Sequence, residues 1–553
     1  MNKLLTLCYF LLLQTGFVLQ CHAQQNKYWV RFNTKNGTPY STSNPSAFLT
    51  QRSIDRRTAY NIPVVQSDLP VNPSFVGQVD NIPGVTVHYA SKWLNGVVIS
   101  VSNYSVLAQV KALSFVSDTS KVNRFRITGI EPQTSIPPAN TGLQKTAQNS
   151  TGFNYGGSFW QNKMLGVDCL HNKGLRGRGI CIAVLDVGFS NVDINPLFDS
   201  VRIGGRILGT RDFVSGGYNV YDDASHGMSV LSCMAACKPG VMIGSAPEAL
   251  YWLLRTEDAS TETISEEYNW IRGAEFADSV GAHILTTSLG YTTFDNPAQD
   301  HTYSSLNGRT APMSIAANLA ARKGMLVFNS AGNEGNNLTW LQHISVPADA
   351  DSICTTGAVD SLNVYASFSG KGPTFDGRIK PDLVAMGVNA FISWSETYAG
   401  PGANGTSFSC PILAGAAACF WQAHRSFNNM DVLRELKNSA SNKNTPNNTI
   451  GWGLPNVCTL PVGLLEYKGP LNTDFSISPN PFKDELTLNW NENDVTLLDF
   501  CVLDVSGQVV FKKNLKATER PLKIELPDLN PGLYMLQLHT SSGTLSTKLL
   551  CNP

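Results

Sequence analysis

Between residues 150 and 465, short apolar runs alternate with longer segments whose apolar positions recur at helical spacing. Residues 180–185 are apolar throughout, as expected of a strand covered on both faces. The runs 249–254, 283–288 and 325–329 also read as strands, and the segments 228–237, 264–280 and 314–322 read as helices between them. Such β-α alternation predicts an α/β fold, a doubly wound and mostly parallel sheet flanked by helices. In a sheet of this kind ligands bind beyond the carboxyl ends of the strands. Before it, residues 24–125 predict a small α+β unit, with strands at 28–32, 85–89 and 96–101 and a short helix at 106–113. Residues 126–157, rich in Pro, Thr, Ser and Asn, read as an exposed linker open to proteolysis. From 472 to 553 the period shortens again. Alternation at 485–490, a Ser506-Gly507 turn and strands around Pro531-Gly532 predict a small all-β sandwich.

Composition changes this picture little. A net charge of −1 and a charged fraction of 15% leave no basic footprint, which argues against a nucleic-acid partner. The first residues matter more: Lys3, an apolar run over 4–19 and the small-flanked Cys21-His22-Ala23 have the layout of a secretory signal peptide, residues 1–23, cut after Ala23. No later segment reaches spanning length, so no membrane-spanning segment is expected once the signal is gone. Export permits disulfides. Their pairing cannot be read from the sequence, and cysteines in core strands or helices are expected as buried thiols.

Four positions carry candidate chemistry. Asp186 closes the apolar run 180–185 and is followed by Val187-Gly188, which places it at the rim of the sheet. His226, in Ser225-His226-Gly227-Met228, opens a helix behind a polar loop. Asn333 lies in Ala331-Gly332-Asn333-Glu334-Gly335, just after a predicted strand, where its amide could donate to a developing oxyanion. Ser407, in Gly405-Thr406-Ser407-Phe408-Ser409-Cys410-Pro411, precedes a helix of small residues; Pro411 is expected in that helix's first turn. Each has a plain structural reading when taken alone: a strand end, a helix start, a turn residue, a helix cap.

Taken together, Asp, His, Asn and Ser in this order, each beside glycine, resemble the subtilisin-like serine peptidases. Gly244-Ser245-Ala246-Pro247, the run 281–290 and the run 376–385 are similar to further motifs of that family. The resemblance covers about 158–457 of a peptidase domain expected over 158–465, and implies a secreted serine endopeptidase. In it Asp186 orients His226, His226 activates Ser407, and Asn333 with the Ser407 backbone N–H binds the oxyanion. Ser288, Leu289 and Gly290 would bind protein or peptide substrates by strand pairing. No metal ligand set is placed and no cofactor is required for the chemistry; structural calcium is a family expectation without a site. Three departures stand out: Val187 where the family has Ser or Thr, Met228 where it has Thr, and Phe408-Ser409 where it has Met-Ala. Residues 24–125 resemble the family's propeptides. Residues 475–550, with Ser478-Pro479-Asn480-Pro481-Phe482 and Pro531-Gly532-Leu533-Tyr534, are similar to type IX secretion sorting domains, implying export across an outer membrane. The contrasting expectation is a catalytically inactive surface binding or adhesion protein on the same scaffold. A lipase-type hydrolase lacks its Gly-x-Ser-x-Gly elbow here, and a metallopeptidase its His-Glu-x-x-His.

Overall fold

The computed structural model describes residues 26–122, 153–460 apart from 223 and 341, and 475–552 apart from 491–496, 505–508, 518–520, 528 and 541–542. The expected signal peptide, most of the expected linker and the Ser506-Gly507 turn lie outside the described residues.

The central unit is built on seven parallel strands, in spatial order Leu383–Met386, Cys354–Val359, Leu326–Ser330, Ile284–Thr287, Cys181–Asp186, Leu250–Arg255 and Ile207–Asp212. The alternating side chains of Cys181–Asp186 explain its unbroken apolar run. Ile182 and Val184 join a core beneath the helices His226–Ala235 and Thr406–Ala423. Cys181, Ala183 and Leu185 join a second core beneath Ile264–Ser279 and Pro312–Arg322. Three of the seven strands, Ile207–Asp212, Cys354–Val359 and Leu383–Met386, are additions to the four expected. One of them, Ile207–Asp212, is an edge strand that is mostly half-buried, so its mixed polarity suits its place.

Helix Thr406–Ala423 is 18 residues long and almost wholly buried. It passes so close to its neighbours that a Cβ on Gly415 would stand 2.0 Å from Ser245 Oγ. The helix starts earlier than the sequence pattern suggests. Pro411 lies inside it rather than in its first turn, so Ser407 is already helical. A proline there cannot donate to the carbonyl four residues back. That carbonyl belongs to Ser407, and it instead accepts from Ser288 Oγ at 2.8 Å.

Residues 26–122 fold as a four-stranded antiparallel sheet, ordered Val85–Ser91, Gly96–Val101, Asn26–Phe32 and Val116–Lys121, with helices Gln51–Ala59, Pro73–Asp80 and Tyr104–Lys111. The strand Val116–Lys121 and the first two helices are additions to the three strands and one helix expected; the strand and the helix Gln51–Ala59 are hidden by polar sequences, although Thr50 and Asn72 cap the two helices. The sheet docks on helix Ile264–Ser279. Trp29, Trp93, Val98 and Val122 enter the second core, and the Trp29 ring lies 5.0 Å from that of Tyr268. Beside this apolar contact runs a buried ionic network. Arg57 bridges Asp68 (3.0 Å) and Asp278 (2.8 Å), Arg56 reaches Asp278 (2.5 Å), and Lys323 reaches Asp68 (2.6 Å). Burial alone would raise the pKa of Asp278, but the surrounding Lys92, Arg56, Arg57 and Lys323 hold it below the ordinary carboxylate range.

The carboxyl-terminal residues form two antiparallel sheets of three and four strands that share one core, around Phe482, Leu486, Phe500 and Leu536. A disulfide between Cys169 and Cys458 ties helix Val167–Asn172 to the end of the central unit. Its partners are 289 residues apart, which is why no spacing pattern reveals it. Among the described residues, no helix is long and apolar enough to cross a membrane.

Replacing Arg57 by Ala would leave Asp68 and Asp278, both fully buried, each short of a cation. The expected cost is about 3 kcal/mol, the lower end for breaking a buried ion pair, because Arg56 and Lys323 remain. A fall in the urea midpoint of the full chain measures it.

Candidate active site

Asp186 ends the central strand with no exposed surface. A carboxylate stays charged there only if hydrogen bonds replace its lost water. Its Oδ1 accepts from the Val187 N–H at 2.9 Å and lies 2.7 Å from His226 Nδ1. Oδ2 has no partner among the described residues. The residue that follows, Val187, brings an isopropyl group where a Ser or Thr hydroxyl could have reached back.

His226 is the first residue of its helix, and Gly227 is what lets that helix start against the strand end. A Cβ on Gly227 would stand 2.3 Å from Gly188 O and 3.0 Å from Asp186 Cβ. With Nδ1–H donating to Asp186, Nε2 is the acceptor face of the ring. The side chain keeps 35% of its surface exposed. Burial pulls the imidazole pKa down; the Asp186 charge and hydrogen bond, with Glu257 behind them, outweigh it and raise the pKa above the ordinary 6.5. Met228 points into the core, its sulfur facing Asn195 Nδ2 and Ser393 Oγ.

Ser407 is the second residue of the buried helix. Its amide belongs to the first turn, where N–H groups have no intrahelical acceptor and the helix dipole is positive. Its Oγ donates to Ser288 O at 3.4 Å, so the hydroxyl is turned to the residue that follows strand Ile284–Thr287. The next side chain, Phe408, puts its ring centroid 6.2 Å from that of His226.

Asn333 follows the strand Leu326–Ser330. Its Oδ1 accepts from Thr406 N (3.0 Å) and Thr406 Oγ1 (3.1 Å), which fixes the amide and leaves Nδ2 as its free end. Gly405, at φ 155 and ψ 147, adopts a backbone conformation suited to glycine. A Cβ there would stand 3.7 Å from Ser407 N and 3.8 Å from Asn333 Nδ2, filling the space these two donors border. Ser288, Leu289 and Gly290 continue from the strand Ile284–Thr287 along the same rim, with Gly290 exposed.

Two groups at this rim escaped the sequence reading. Thr406 orients Asn333, although it stood in the Gly-Thr-Ser run. Glu257, near enough to bias His226, lies just past the carboxyl end of strand Leu250–Arg255, the level at which sheet ligands bind.

The subtilase family model matches residues 177–453, half of the chain, and the chain belongs to that family. It is a serine-type endopeptidase of the subtilisin kind. Two further models match: a Bacteroidota peptidase S8 propeptide domain at 27–135 and a secretion-system C-terminal sorting domain at 476–552. The sorting domain marks the chain for export, to the medium or the cell surface. Among curated relatives, Subtilisin Savinase of Lederbergia lenta is 32% identical over 301 residues, covering 54% of this chain and 96% of its own length. The alkaline protease of Alkalihalobacillus alcalophilus is 32% identical over 301 residues (54% and 68% covered), and Subtilisin E of Bacillus subtilis (strain 168) is 32% identical over 278 (49% and 63%).

The charge arrangement around the imidazole has a direct readout. The His226 ring should titrate with a midpoint above 6.5 in the NMR spectrum of the full chain. Replacing Glu257 by Gln removes a negative charge that favours the imidazolium, so the midpoint should move down.

Proposed function

We propose that the chain hydrolyses peptide bonds through Asp186, His226 and Ser407 by way of an acyl-enzyme. The supporting observation is the 2.7 Å contact of Asp186 with His226 Nδ1, which makes Nε2 the basic nitrogen, at a rim shared with Ser407. A serine hydroxyl is a poor nucleophile until a base takes its proton during attack. His226 Nε2 receives that proton and returns it to the leaving amine, while Asp186 holds the ring and stabilises the cation formed. The resting Ser407–Ser288 contact is long, and a turn about the Ser407 side-chain bond exchanges Ser288 O for the imidazole; contacts of this kind tighten when substrate binds.

The carbonyl oxygen becomes an oxyanion between Asn333 Nδ2 and the Ser407 N–H, the pair of donors that Gly405 leaves uncovered. Pairing of an extended substrate along Ser288, Leu289 and Gly290 brings its carbonyl to that point and reads backbone more than side chain. Nucleophile, base and donors all come from the chain itself, so the chemistry requires no cofactor. The amino-terminal unit acts as a docked propeptide, removed by cleavage between Val122 and Phe159, and the carboxyl-terminal sheets deliver the chain to the secretion machinery.

Replacing Ser407 by Ala should abolish hydrolysis of an unfolded protein and labelling by a fluorophosphonate, with the melting temperature unchanged. A folded wild-type enzyme that leaves Ser407 unlabelled would instead identify an inactive binding protein. Replacing Asn333 by Ala should lower kcat by about 10²–10³-fold with little change in KM, the loss that removal of one oxyanion donor causes in subtilisin itself.

A further inference from the structure

Three carboxylates crowd together next to the proposed triad. Oxygen atoms of Glu257, Glu262 and Glu266 all lie within 4.8 Å of one another. Glu266 is the deepest, with 2% of its surface exposed, whereas Glu257 and Glu262 are half-buried. One Glu266 oxygen is saturated: Oε1 accepts from Thr261 Oγ1 (2.6 Å), Thr263 N (3.2 Å) and Thr263 Oγ1 (3.3 Å). The other, Oε2, is buried with no partner among the described residues. Tyr291, fully buried, turns its hydroxyl towards Glu257 without completing a hydrogen bond of normal geometry. Two buried polar groups left unpaired at one spot mark a missing partner, and amid three carboxylates that partner is a cation.

The position of the three carboxylates says which cation. Strand Leu250–Arg255 runs beside Cys181–Asp186 with Arg255 level with Asp186, and the Thr256 N–H donates to Asp186 O at 3.0 Å. Glu257 comes next in the chain. On the other side Tyr291 directly follows Gly290, the end of the proposed substrate-pairing edge. Glu257 thus connects the Asp186 end of the sheet with Tyr291, which follows the proposed substrate-pairing edge. Resting on the peptidase reading above, we infer that Glu257, Glu262 and Glu266 form a subsite for a lysine or arginine side chain of the peptide lying along Ser288–Gly290.

Two half-buried carboxylates and one buried carboxylate suit a long side chain with a terminal charge. A guanidinium supplies several donors in a fixed fork and can serve more than one carboxylate at once. Without a cation the three acids cannot all ionise: burial and mutual repulsion push Glu257 up to about 7, Glu262 to about 8 and Glu266 to about 10. The amino-terminal unit also ends at the rim, since Ser265, next to Glu266, donates to Val122 O at 2.9 Å. The sequence then continues Asn123-Arg124-Phe125-Arg126.

The test compares quenched-fluorescence peptides carrying arginine or its neutral isostere citrulline at each of several positions before the scissile bond. With the processed enzyme, kcat/KM should favour arginine by about tenfold or more at one position, as expected of a charge-assisted contact. In Glu266→Gln and in Glu262→Gln the arginine-to-citrulline ratio should fall towards one. Glu262, being half-buried, keeps the test alive if the Glu266 variant fails to fold. A ratio near one at every position, or a ratio unchanged in the variants, overturns the inference. Binding of the same peptides to the Ser407→Ala protein, read by fluorescence anisotropy, separates the two readings. Arginine-selective binding by a wild-type chain that never cleaves sinks the catalytic assignment and keeps the subsite; equal binding of both peptides sinks the subsite. Calorimetric titration with calcium closes the remaining route: saturable binding lost in Glu266→Gln, with no arginine preference, assigns the three carboxylates to a metal ion and overturns the inference.

Discussion

A carboxylate without solvent exposure at the end of a central strand is the constraint around which the rest of this molecule is arranged. Asp186 sits where water cannot reach it, and ionisation there has to be supported by donors the fold supplies. One donor is local, the Val187 amide; the other is the imidazole at the start of helix His226–Ala235. Bringing a helix start that close to a strand end requires position 227 to have no side chain, since any Cβ would strike Gly188 O. The geometry is therefore held by backbone packing as much as by the hydrogen bond. The unpartnered Oδ2 fits this view: with Val187 supplying no hydroxyl, the orientation of the ring falls more heavily on Oδ1 and on the glycine contact.

The serine end is solved differently. Helix Thr406–Ala423 is buried almost throughout, so its amino terminus is a fixed point with unshared N–H groups. Pro411 opens a gap in the backbone ladder under Ser407, and the Ser288 hydroxyl closes it. Because Ser407 Oγ also reaches Ser288 O, Ser288 and Ser407 hold one another in two directions. The same residue thus belongs to the proposed peptide-binding rim and to the support of Ser407. Asn333 is likewise anchored through Thr406, so three of the elements around the reaction centre converge on the first turn of one helix.

Much of this was legible before any coordinates. The unbroken apolar run 180–185 betrays a strand covered on both faces, and the split of its side chains between two cores is the physical content of that pattern. Glycines flanking Asp186, His226, Asn333 and Ser407 were readable as close approaches and tight turns. What escaped has a common cause, which is dependence on distant partners. The helix Gln51–Ala59 is highly polar because its arginines are satisfied by Asp278, more than two hundred residues away. The register of Pro411 is decided by Ser288, and Cys169 by Cys458. Glu257, Glu262 and Glu266 have no telling spacing; only the loop between strand and helix, with Tyr291 folded over it, makes them one group.

Helix Ile264–Ser279 links the two ends of this charge pattern. Its amino-terminal turn carries Glu266 and Glu267, where acids favour the helix dipole; Glu275 and Asp278 stand near its other end, where they oppose it, and its last turn has no basic residue. The propeptide domain supplies what that end lacks. Arg56, Arg57 and Lys92 surround Asp278, while Ser91 Oγ and the amides of Lys92 and Trp93 serve Glu275. Helix propensity and packing alone leave two buried acids at the wrong end of the helix uncompensated. A docked domain that brings the compensating cations stabilises this end of the helix. The burial of both acids is therefore tied to the docked domain, whose Arg56, Arg57, Lys92 and Ser91 meet them directly.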